Sequence, residues 1–417
     1  MSFAPGWVRA LGPGLIWAGT AVGVSHLVQS TRAGAGFGLA LLWVVVLANL
    51  VKYPAFEAGP RYAAATGQSL VAGYRRRGRW MVGIFLLVTV ATMLTVVAAV
   101  TIVAAGMTAA LAPATLSATV WSAVLLGASV ALLAIGRFWL LELFMKVMMM
   151  VLAVATLAAV ALLLPTVAWS ELSWTPWVPS AEPAQLLFVV ALVGWMPSAI
   201  DIAVWQSLWV VEKARGEGRP VDARAARVDF DVGYVGTAVL ALCFVFLGAA
   251  VLYGSGEELP KSAGAFALTL VDVYASALGW WARPILLVAA FATMLSTTVA
   301  VVDGFPRALE GAIRSLRTAD TPGGRTPVYW VSMAGITLGA WVIIAQFAGQ
   351  LLVLVDLATT LTGLTAPVLA AMNLWALRGE EVPEWARPTG IYLVVHVACI
   401  VALAAVAAAY VWVRFVV

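Results

Sequence analysis

Apolar runs of about twenty residues recur along the whole chain. Runs of this length match a bilayer, because a helix rises about 1.5 Å per residue and the hydrocarbon core is about 30 Å thick. The composition agrees, since 63% of the 417 residues are hydrophobic and 11% are charged. We therefore predict an all-α polytopic membrane protein whose surroundings are the lipid bilayer.

The apolar runs predict eleven membrane-spanning helices. Each set of five spans, about 12–164 and about 186–376, contains an odd number of crossings, so the two sets enter the membrane in opposite orientations, as an inverted repeat does. The eleventh span is an extra helix, and we expect residues 1–417 to form one transmembrane domain. The approximate bounds are 12–32, 37–59, 80–107, 118–136, 140–164, 186–211, 230–253, 282–304, 328–346, 350–376 and 390–413.

The basic residues predict the orientation in the membrane. Eighteen Lys and Arg residues lie in segments on the side of the N-terminus, and three lie on the other side, at Lys261, Arg283 and Arg414. Because cytoplasmic segments are enriched in Lys and Arg, we place the N-terminus in the cytoplasm and the C-terminus outside. The basic segments are short and flank spans, which argues against a nucleic-acid partner. We expect the plasma or inner membrane of a prokaryote.

Two spans contain helix-breaking residues at their centres, at Gly23–His26 in the first span and Gly194–Ser198 in the sixth. In hydrocarbon every backbone polar group needs a partner, so unwound helix is tolerated only where it lines a cavity or is buried in protein. Broken spans at corresponding positions in two halves are typical of secondary transporters, whose substrate site lies near the middle of the membrane. The breaks therefore predict such a transporter.

Enzyme motifs are absent from the sequence. No glycine-rich phosphate loop is followed by Lys-Ser/Thr, and no His-x-x-x-His pair occurs. Cys243 and Cys399 both lie inside apolar spans, where they pack as small hydrophobic residues. We expect neither an enzyme nor a bound cofactor, with a divalent metal ion entering only as substrate.

The N-terminal part of the chain resembles a known family. The residues that match its start, without gaps, are Gly12–Gly34, Phe37-Gly38, Leu41–Val44, Leu47, Asn49-Leu50, Arg61 and Thr66-Gly67. They resemble the Nramp family of divalent-metal transporters, and Met196-Pro197 matches a motif of its sixth span. Ala292–Val299 is a looser match, and the resemblance covers the whole chain, most closely over 12–70. It implies the LeuT-type fold of the amino acid–polyamine–organocation superfamily, with eleven helices, broken helices 1 and 6, and alternating access.

The chain departs from this family at the metal-binding motifs. Where the family has Asp-Pro-Gly-Asn in the first span, this chain has Gly23–His26, and the family's Met-Pro-His is Met196–Ser198 here. The family also has acidic residues associated with proton movement in its third span, whereas residues 80–107 contain no Asp or Glu. A proton-coupled manganese or iron site of the usual type is therefore not expected, and the ion selectivity should be altered.

Polar residues around the breaks form the predicted substrate or ion site. Gly23 and Pro197 permit the breaks and free carbonyl groups that would contribute ligands. Imidazole and thioether favour a softer ion than magnesium or calcium, and added carboxylates make a Zn-, Mn- or Cu-type site possible. The predicted metal ligands are His26, Met196, Asp201 and Asp356. The full predicted site comprises Gly23, Ser25, His26, Gln29, Met196, Pro197, Ser198, Asp201 and Asp356.

Structural interpretations of these side chains stay open. His26 could be a hydrogen-bonded structural residue, and Met196 could serve packing alone. Asp201 and Asp356 could be helix-packing residues satisfied by hydroxyl groups, although an ionised carboxylate inside a span costs roughly 3 kcal/mol or more without a partner.

Two further sets of charged residues also have alternative interpretations. Lys52 and Glu57 in the second span suggest structural ion pairs, but Lys52 could instead be a fixed cation where a transporter otherwise binds a coupling ion. Asp303 and Arg307, at i and i+4, form either a helix-end pair or an inner gate.

The leading functional hypothesis is a secondary active or facilitative transporter of a small cation, a divalent metal ion, by alternating access. Proton coupling through His26 and uncoupled transport both stay open. One alternative keeps the fold and moves an organic solute such as an amino acid or amine. Another is a non-transporting membrane sensor or scaffold. We expect a monomer.

Overall fold

The computed structural model describes residues 12–112, 116–135, 138–165, 167, 169–170, 172–176, 182–255, 259–317, 326–347 and 349–415. The regular elements within these ranges are helices. A π-helix, Ser25–Ser30, precedes α2, and two short 3-10 helices lie at Trp280–Ala282 and Glu384–Ala386. The α-helices are α1 Pro13–Ala21, α2 Thr31–Phe37, α3 Leu42–Thr66, α4 Leu70–Arg77, α5 Arg79–Leu111, α6 Ala118–Ile135, α7 Phe138–Leu163, α8 Pro183–Trp195, α9 Ile202–Glu217, α10 Ala223–Leu252, α11 Ala263–Leu278, α12 Arg283–Arg317, α13 Pro327–Gln346, α14 Leu351–Leu377 and α15 Gly390–Phe415.

Seven helices in the described ranges are long and apolar enough to cross a membrane, namely α5, α6, α10, α12, α13, α14 and α15. The predicted first and sixth spans are each divided into shorter helices by a break. The predicted second span corresponds to α3, which carries Lys52, Glu57 and Arg61. In α7, the predicted fifth span, the described apolar stretch is Met150–Leu163. The predicted total of eleven spans stays a prediction.

Both predicted breaks are present in the structure. The first span is α1, which ends at Ala21, followed after a short gap by the π-helix and α2. The second broken span is α8, which ends at Trp195, and α9, which begins at Ile202. Pro197 lies between them, and proline favours a kink or break because it lacks the N–H donor and its ring clashes with the preceding turn. The prediction of two broken helices is confirmed.

The centre of the bundle is α5, which packs against α6, α11, α12, α13 and α14. Its 33 residues make it about 50 Å long, more than enough to cross a bilayer. Its buried side chains are almost all apolar, with threonines such as Thr89 and Thr92 bonding carbonyls of α5 itself. Such a helix can lie inside a membrane protein because its backbone polar groups are satisfied internally.

The first broken span lies along α10 on both sides of its break. A Cβ atom on Gly14 would overlap the backbone of Asp229, and one on Gly34 would overlap the Val245 carbonyl oxygen, so both positions require glycine for this close approach. The Asp229 carboxylate also accepts hydrogen bonds from the N–H groups of Gly12, at 2.8 Å, and Gly14, at 2.6 Å. These bonds satisfy donors at the start of α1 that have no helical partner. They fix the position of the first span.

The two ends of the bundle carry different side chains. One end carries Arg75, Arg215 and Arg314 beside a groove of about 910 Å³, and we name it the arginine-rich face. The other end carries a surface depression lined by Arg32 and Phe188, and we name it the opposite face. The predicted cytoplasmic side corresponds to the arginine-rich face.

Candidate ion-binding site

The two breaks meet at a small buried cavity. The hydroxyl oxygen of Ser25, from the first break, lies 3.2 Å from the carbonyl oxygen of Pro197, from the second. The cavity beside this contact has a volume of about 30 Å³, and its lining side chains are all buried. That volume accommodates about one or two groups the size of water. The polar and indole side chains that line it are Thr20, Ser25, Trp195, Ser198, Asp201, Trp205 and Thr297.

Asp201 is the acidic residue of this cavity. It occupies the position just before α9, where the positive end of the helix dipole favours a carboxylate. The side chain is buried, and its Oδ1 atom has no hydrogen-bond partner within the described residues. The indole N–H groups of Trp195 and Trp205, also at the cavity, likewise have none. A buried carboxylate oxygen without a partner is costly, so this cavity is suited to bind a cation.

Thr297 of α12 contacts the carbonyl groups that the first break frees. Gly23 N–H bonds to Ala21 rather than to Gly19, and His26 N–H bonds to Gly23 rather than to Val22. The Thr297 hydroxyl lies 3.1 Å from the Gly19 oxygen and 3.3 Å from the Val22 oxygen.

Lys52 of α3 contacts the carbonyl groups at the second break. Its Nζ atom donates to the Gly194 oxygen at 2.7 Å and to the Ser198 oxygen at 3.1 Å. The Ser198 oxygen is free of the helix, because Ile202 N–H bonds to Ala199 instead. Lys52 is fully buried and also interacts electrostatically with Asp201.

Both ring nitrogens of His26 have partners within the protein. Nε2 lies 3.0 Å from the Thr237 carbonyl oxygen of α10 and therefore donates to it, since a carbonyl can only accept. Nδ1 lies 2.7 Å from the Ser25 hydroxyl. The ring also packs edge-on to Phe244, with centroids 6.3 Å apart. In this conformation His26 links the first break to α10, and its predicted role as a metal ligand stays a prediction.

Met196 belongs to an apolar cluster beside the second break. The cluster includes Val45 of α3, Leu192 of α8 and Val245 of α10, and the Met196 side chain is fully buried in it. The sulfur is therefore not among the groups that line the cavity. Gly23 packs directly against Thr297, and Pro197 contributes the carbonyl that bonds Ser25.

Gln29 and Asp356 lie together outside the cavity, beside Arg32, which lines the depression on the opposite face. Asp356 forms two bonds with Arg32, at 2.6 and 3.2 Å, and Gln29 donates to the same carboxylate at 3.1 Å. The Arg32 guanidinium lies over the Phe188 ring, 4.9 Å from its centroid. This network joins the first span to α8 and α14.

A second charged network lies towards the arginine-rich face. Arg307 forms two bonds of 3.0 Å with the buried Asp303, which also accepts bonds from Tyr329, at 2.6 Å, and Trp209, at 3.3 Å. The predicted pair of Asp303 and Arg307 is thus part of a network that joins α9, α12 and α13.

Glu57 of α3 bonds Arg61 and Tyr392 rather than Lys52.

The structure brings together three of the predicted side chains at the cavity, Ser25, Ser198 and Asp201. Within the described part of the chain, no three His, Cys, Asp or Glu residues form a group that could hold a metal ion. Sequence reasoning missed several residues around the breaks. These are Thr20, Trp195, Trp205 and Thr297 at the cavity and Arg32 beside Asp356. The sequence signal for Arg32 was an unmatched charge near the end of an apolar span.

The family model for Nramp, described as natural resistance-associated macrophage protein-like, matches residues 14–413. The chain belongs to the Nramp family. The match confirms the resemblance found in the sequence over nearly the whole chain. Together with the seven apolar helices, it establishes an integral multi-pass membrane protein of the Nramp transporter type.

A related protein and two solved structures agree with this assignment. An uncharacterized protein of Pasteurella multocida (strain Pm70) is 36% identical over 377 residues, covering 89% of this chain and 86% of the relative. A mutant of the Eremococcus coleocola manganese transporter has a TM-score of 0.76 at 17% identity, over 100% of this chain and 90% of that chain. MhsT in complex with L-phenylalanine has a TM-score of 0.61 at 16% identity, over 96% of this chain and 98% of that chain. These structures confirm the predicted LeuT-type fold of this Nramp family member.

Proposed function

We propose that this Nramp family protein moves a divalent metal ion across the membrane by alternating access, with Asp201 as the anionic group of the central site. The supporting observation is the buried Asp201, which lines a cavity between the two broken helices and whose Oδ1 atom has no hydrogen-bond partner among the described residues. Ionisable residues inside membrane spans are rare, and they mark ion pathways or substrate sites. The protein acts as a transporter rather than an enzyme.

The donor atoms at the cavity favour an ion that prefers oxygen. The carboxylate of Asp201 and the hydroxyls of Ser25, Ser198 and Thr20 line it, whereas the sulfur of Met196 lies in an apolar cluster. Carboxylate and other oxygen ligands suit Mg²⁺, Ca²⁺ and Mn²⁺. We therefore propose an oxygen-preferring divalent ion of this group as the substrate, and Mn²⁺ serves as its probe.

The size of the cavity argues against the organic-solute alternative. Sites for small organic ligands typically have volumes of about 300–1,000 Å³. The cavity at the breaks is about 30 Å³, which is an order of magnitude smaller. The likeness to MhsT concerns the fold and supplies no argument for an amino acid substrate.

The two charged networks provide the gates that alternating access requires. The pair of Arg32 and Asp356 closes the path from the cavity to the opposite face, and the pair of Asp303 and Arg307 closes the path to the arginine-rich face. Each network joins helices from different parts of the bundle, so opening either one permits a helix to move. With the arginine-rich face in the cytoplasm, the first pair is the outer gate and the second the inner gate.

Uptake of radioactive Mn²⁺ into proteoliposomes tests the role of Asp201. The D201A and D201N variants should lose about tenfold or more of the uptake, because a charge-assisted contact to the ion is removed. The D201E variant keeps the charge and should retain part of the activity. The matched control is D272N, since Asp272 is a half-exposed carboxylate whose pairing with Arg283 contributes little.

Three outcomes would contradict the proposal. Full Mn²⁺ uptake by both D201A and D201N would remove Asp201 from the site. Thermal stabilisation by amino acids or amines, without stabilisation by any metal, would favour an organic substrate. Binding of a metal without flux of any ion that binds would favour a sensor.

A further inference from the structure

Lys52 places a positive charge directly at the second break. Its side chain is fully buried in the middle of α3, and its ammonium group donates to the carbonyl oxygens of Gly194, at 2.7 Å, and Ser198, at 3.1 Å. One oxygen belongs to the last turn of α8 and the other to the unwound segment before α9. The ammonium therefore bridges the two halves of the broken helix.

The surroundings of this ammonium group are those of a cation site. The C-terminal end of α8 carries the negative end of the helix dipole, which favours a positive charge at Gly194. The carboxylate of Asp201 adds electrostatic attraction. In transporters with broken helices, unwound carbonyls and the C-terminal ends of half-helices coordinate monovalent cations. Carbonyl oxygens can replace the hydration shell of such an ion.

Within α3 this lysine has no carboxylate partner. Glu57, the acidic residue nearest to it in the sequence of α3, bonds Arg61 at 2.7 Å and Tyr392 at 2.9 Å. A buried ammonium group costs several kcal/mol, and the two carbonyls, the helix dipole and the attraction of Asp201 together offset that cost. The carbonyl groups of the break therefore stabilise the buried ammonium group, and the ammonium group in turn stabilises the conformation of the break.

We propose that the Lys52 ammonium is a tethered cation that occupies a monovalent-cation site at the second break, so that the protein holds this break without a dissolved sodium or potassium ion. Removing the side chain should convert the place of the ammonium into a site for Na⁺ or K⁺. Lys52 is in this sense a positioning residue for the broken helix. The inference goes beyond the proposed metal transport and does not depend on which ion is carried.

Thermal melting of the purified protein in different salts tests the inference. Wild type, K52A, K52R and N49A are compared in sodium, potassium and choline chloride at equal ionic strength. For wild type, K52R and N49A, we expect the melting temperature of each protein to be the same in all three salts. The K52A variant should melt lower in choline and rise by roughly 3 to 5 °C, saturably, with sodium or potassium. Asn49 is the matched control because it is buried on the same helix and, among the described residues, its side chain donates to Val45 of α3 alone.

Direct binding of radioactive sodium or rubidium gives a second readout. One ion should bind per K52A molecule, and none should bind to wild type at this site. If K52A cannot be purified, K52M fills the path of the lysine stem, leaves the two carbonyls free and serves the same test. If the melting temperature of K52A, and that of K52M, is the same in sodium, potassium and choline chloride, the inference is wrong. Stoichiometric binding of sodium or rubidium by wild type would also overturn it. Neither readout uses Mn²⁺ uptake, so a failure here is distinct from a failure of Asp201.

Discussion

Single side chains make the two broken helices tolerable inside the bilayer. Thr297 approaches the freed carbonyls of Gly19 and Val22, and Lys52 bonds those of Gly194 and Ser198. In hydrocarbon each unsatisfied backbone group costs several kcal/mol. The ammonium group of Lys52 donates to both carbonyls at the second break, whereas the single hydroxyl proton of Thr297 can serve one carbonyl at a time. The Asp201 carboxylate and nearby hydroxyls are the other available ligands.

The hydroxyl of Thr297 should therefore stabilise the first break. The T297V variant has nearly the same shape but no donor, and we expect a loss of about 1–3 kcal/mol from leaving a buried carbonyl unpaired. A fall in melting temperature in detergent would measure this loss. T297S keeps the hydroxyl and should melt close to wild type.

The matched control for T297V lies one turn earlier on α12. Thr293 is also buried, and its hydroxyl bonds the Ala289 carbonyl of its own helix, at 2.8 Å. The Thr297 hydroxyl likewise lies 3.1 Å from a carbonyl of its own helix, that of Thr293, but it also reaches the first break. T293V should therefore cost less than T297V. Equal melting of the two variants would show that the contact of Thr297 with the first break contributes no stability of its own.

At the scale of elements, α10 is the support of the first broken span. The α1 half packs on it where Gly14 meets Gly233, and the α2 half where Gly34 meets Gly248. His26 adds a bond to Thr237 between these two contacts. Small residues at helix contacts allow backbones to approach closely in membranes, where packing rather than the hydrophobic effect drives association. The first span is consequently fixed to α10 along its length.

Two glycines of α2 provide a matched test of this contact. A Cβ atom on Gly34 would overlap the Val245 carbonyl oxygen, so G34A should push α2 away from α10 and destabilise the protein by about 1–3 kcal/mol or more. Gly36 has open space around its Cα, so G36A should be neutral or stabilise by up to about 1 kcal/mol. Melting temperatures of both variants measure the difference. A G34A protein as stable as G36A would contradict the close approach.

At the scale of the whole molecule, the sequence predicted the positions of the breaks better than the directions of their side chains. Pro197 weakens a helix through its own backbone, and beside Gly194 its effect is local and visible in the sequence, although α3 continues through Pro54 and Pro60. The orientation of His26 depends on α10, which supplies Thr237, and that of Met196 depends on the apolar cluster around it. The partner of Asp356 is Arg32, 324 positions earlier, and only the folded bundle brings them together.

The gate formed by Arg32 and Asp356 should control access from the opposite face. Thr359 is fully buried and lies one turn along α14 from Asp356. A cysteine at this position can react with a maleimide only when the gate opens, so its labelling rate measures the open population. In a T359C protein with Cys243 and Cys399 replaced by serine, R32Q removes both bonds to the carboxylate. Loss of a partly buried pair worth about 1 kcal/mol should raise the open population, and hence the maleimide labelling rate, about fivefold.

Charge reversal and a remote ion pair separate this gate from general loosening. The R32D/D356R double variant restores an ion pair between the same positions and should return labelling towards the parent rate. R283Q breaks the pair of Arg283 and Asp272 and should leave the rate unchanged. In intact cells an impermeant maleimide should react, because the opposite face is predicted to be external. An unchanged rate in R32Q would contradict the gate, whereas labelling only after permeabilisation would reverse the orientation and leave the gate intact.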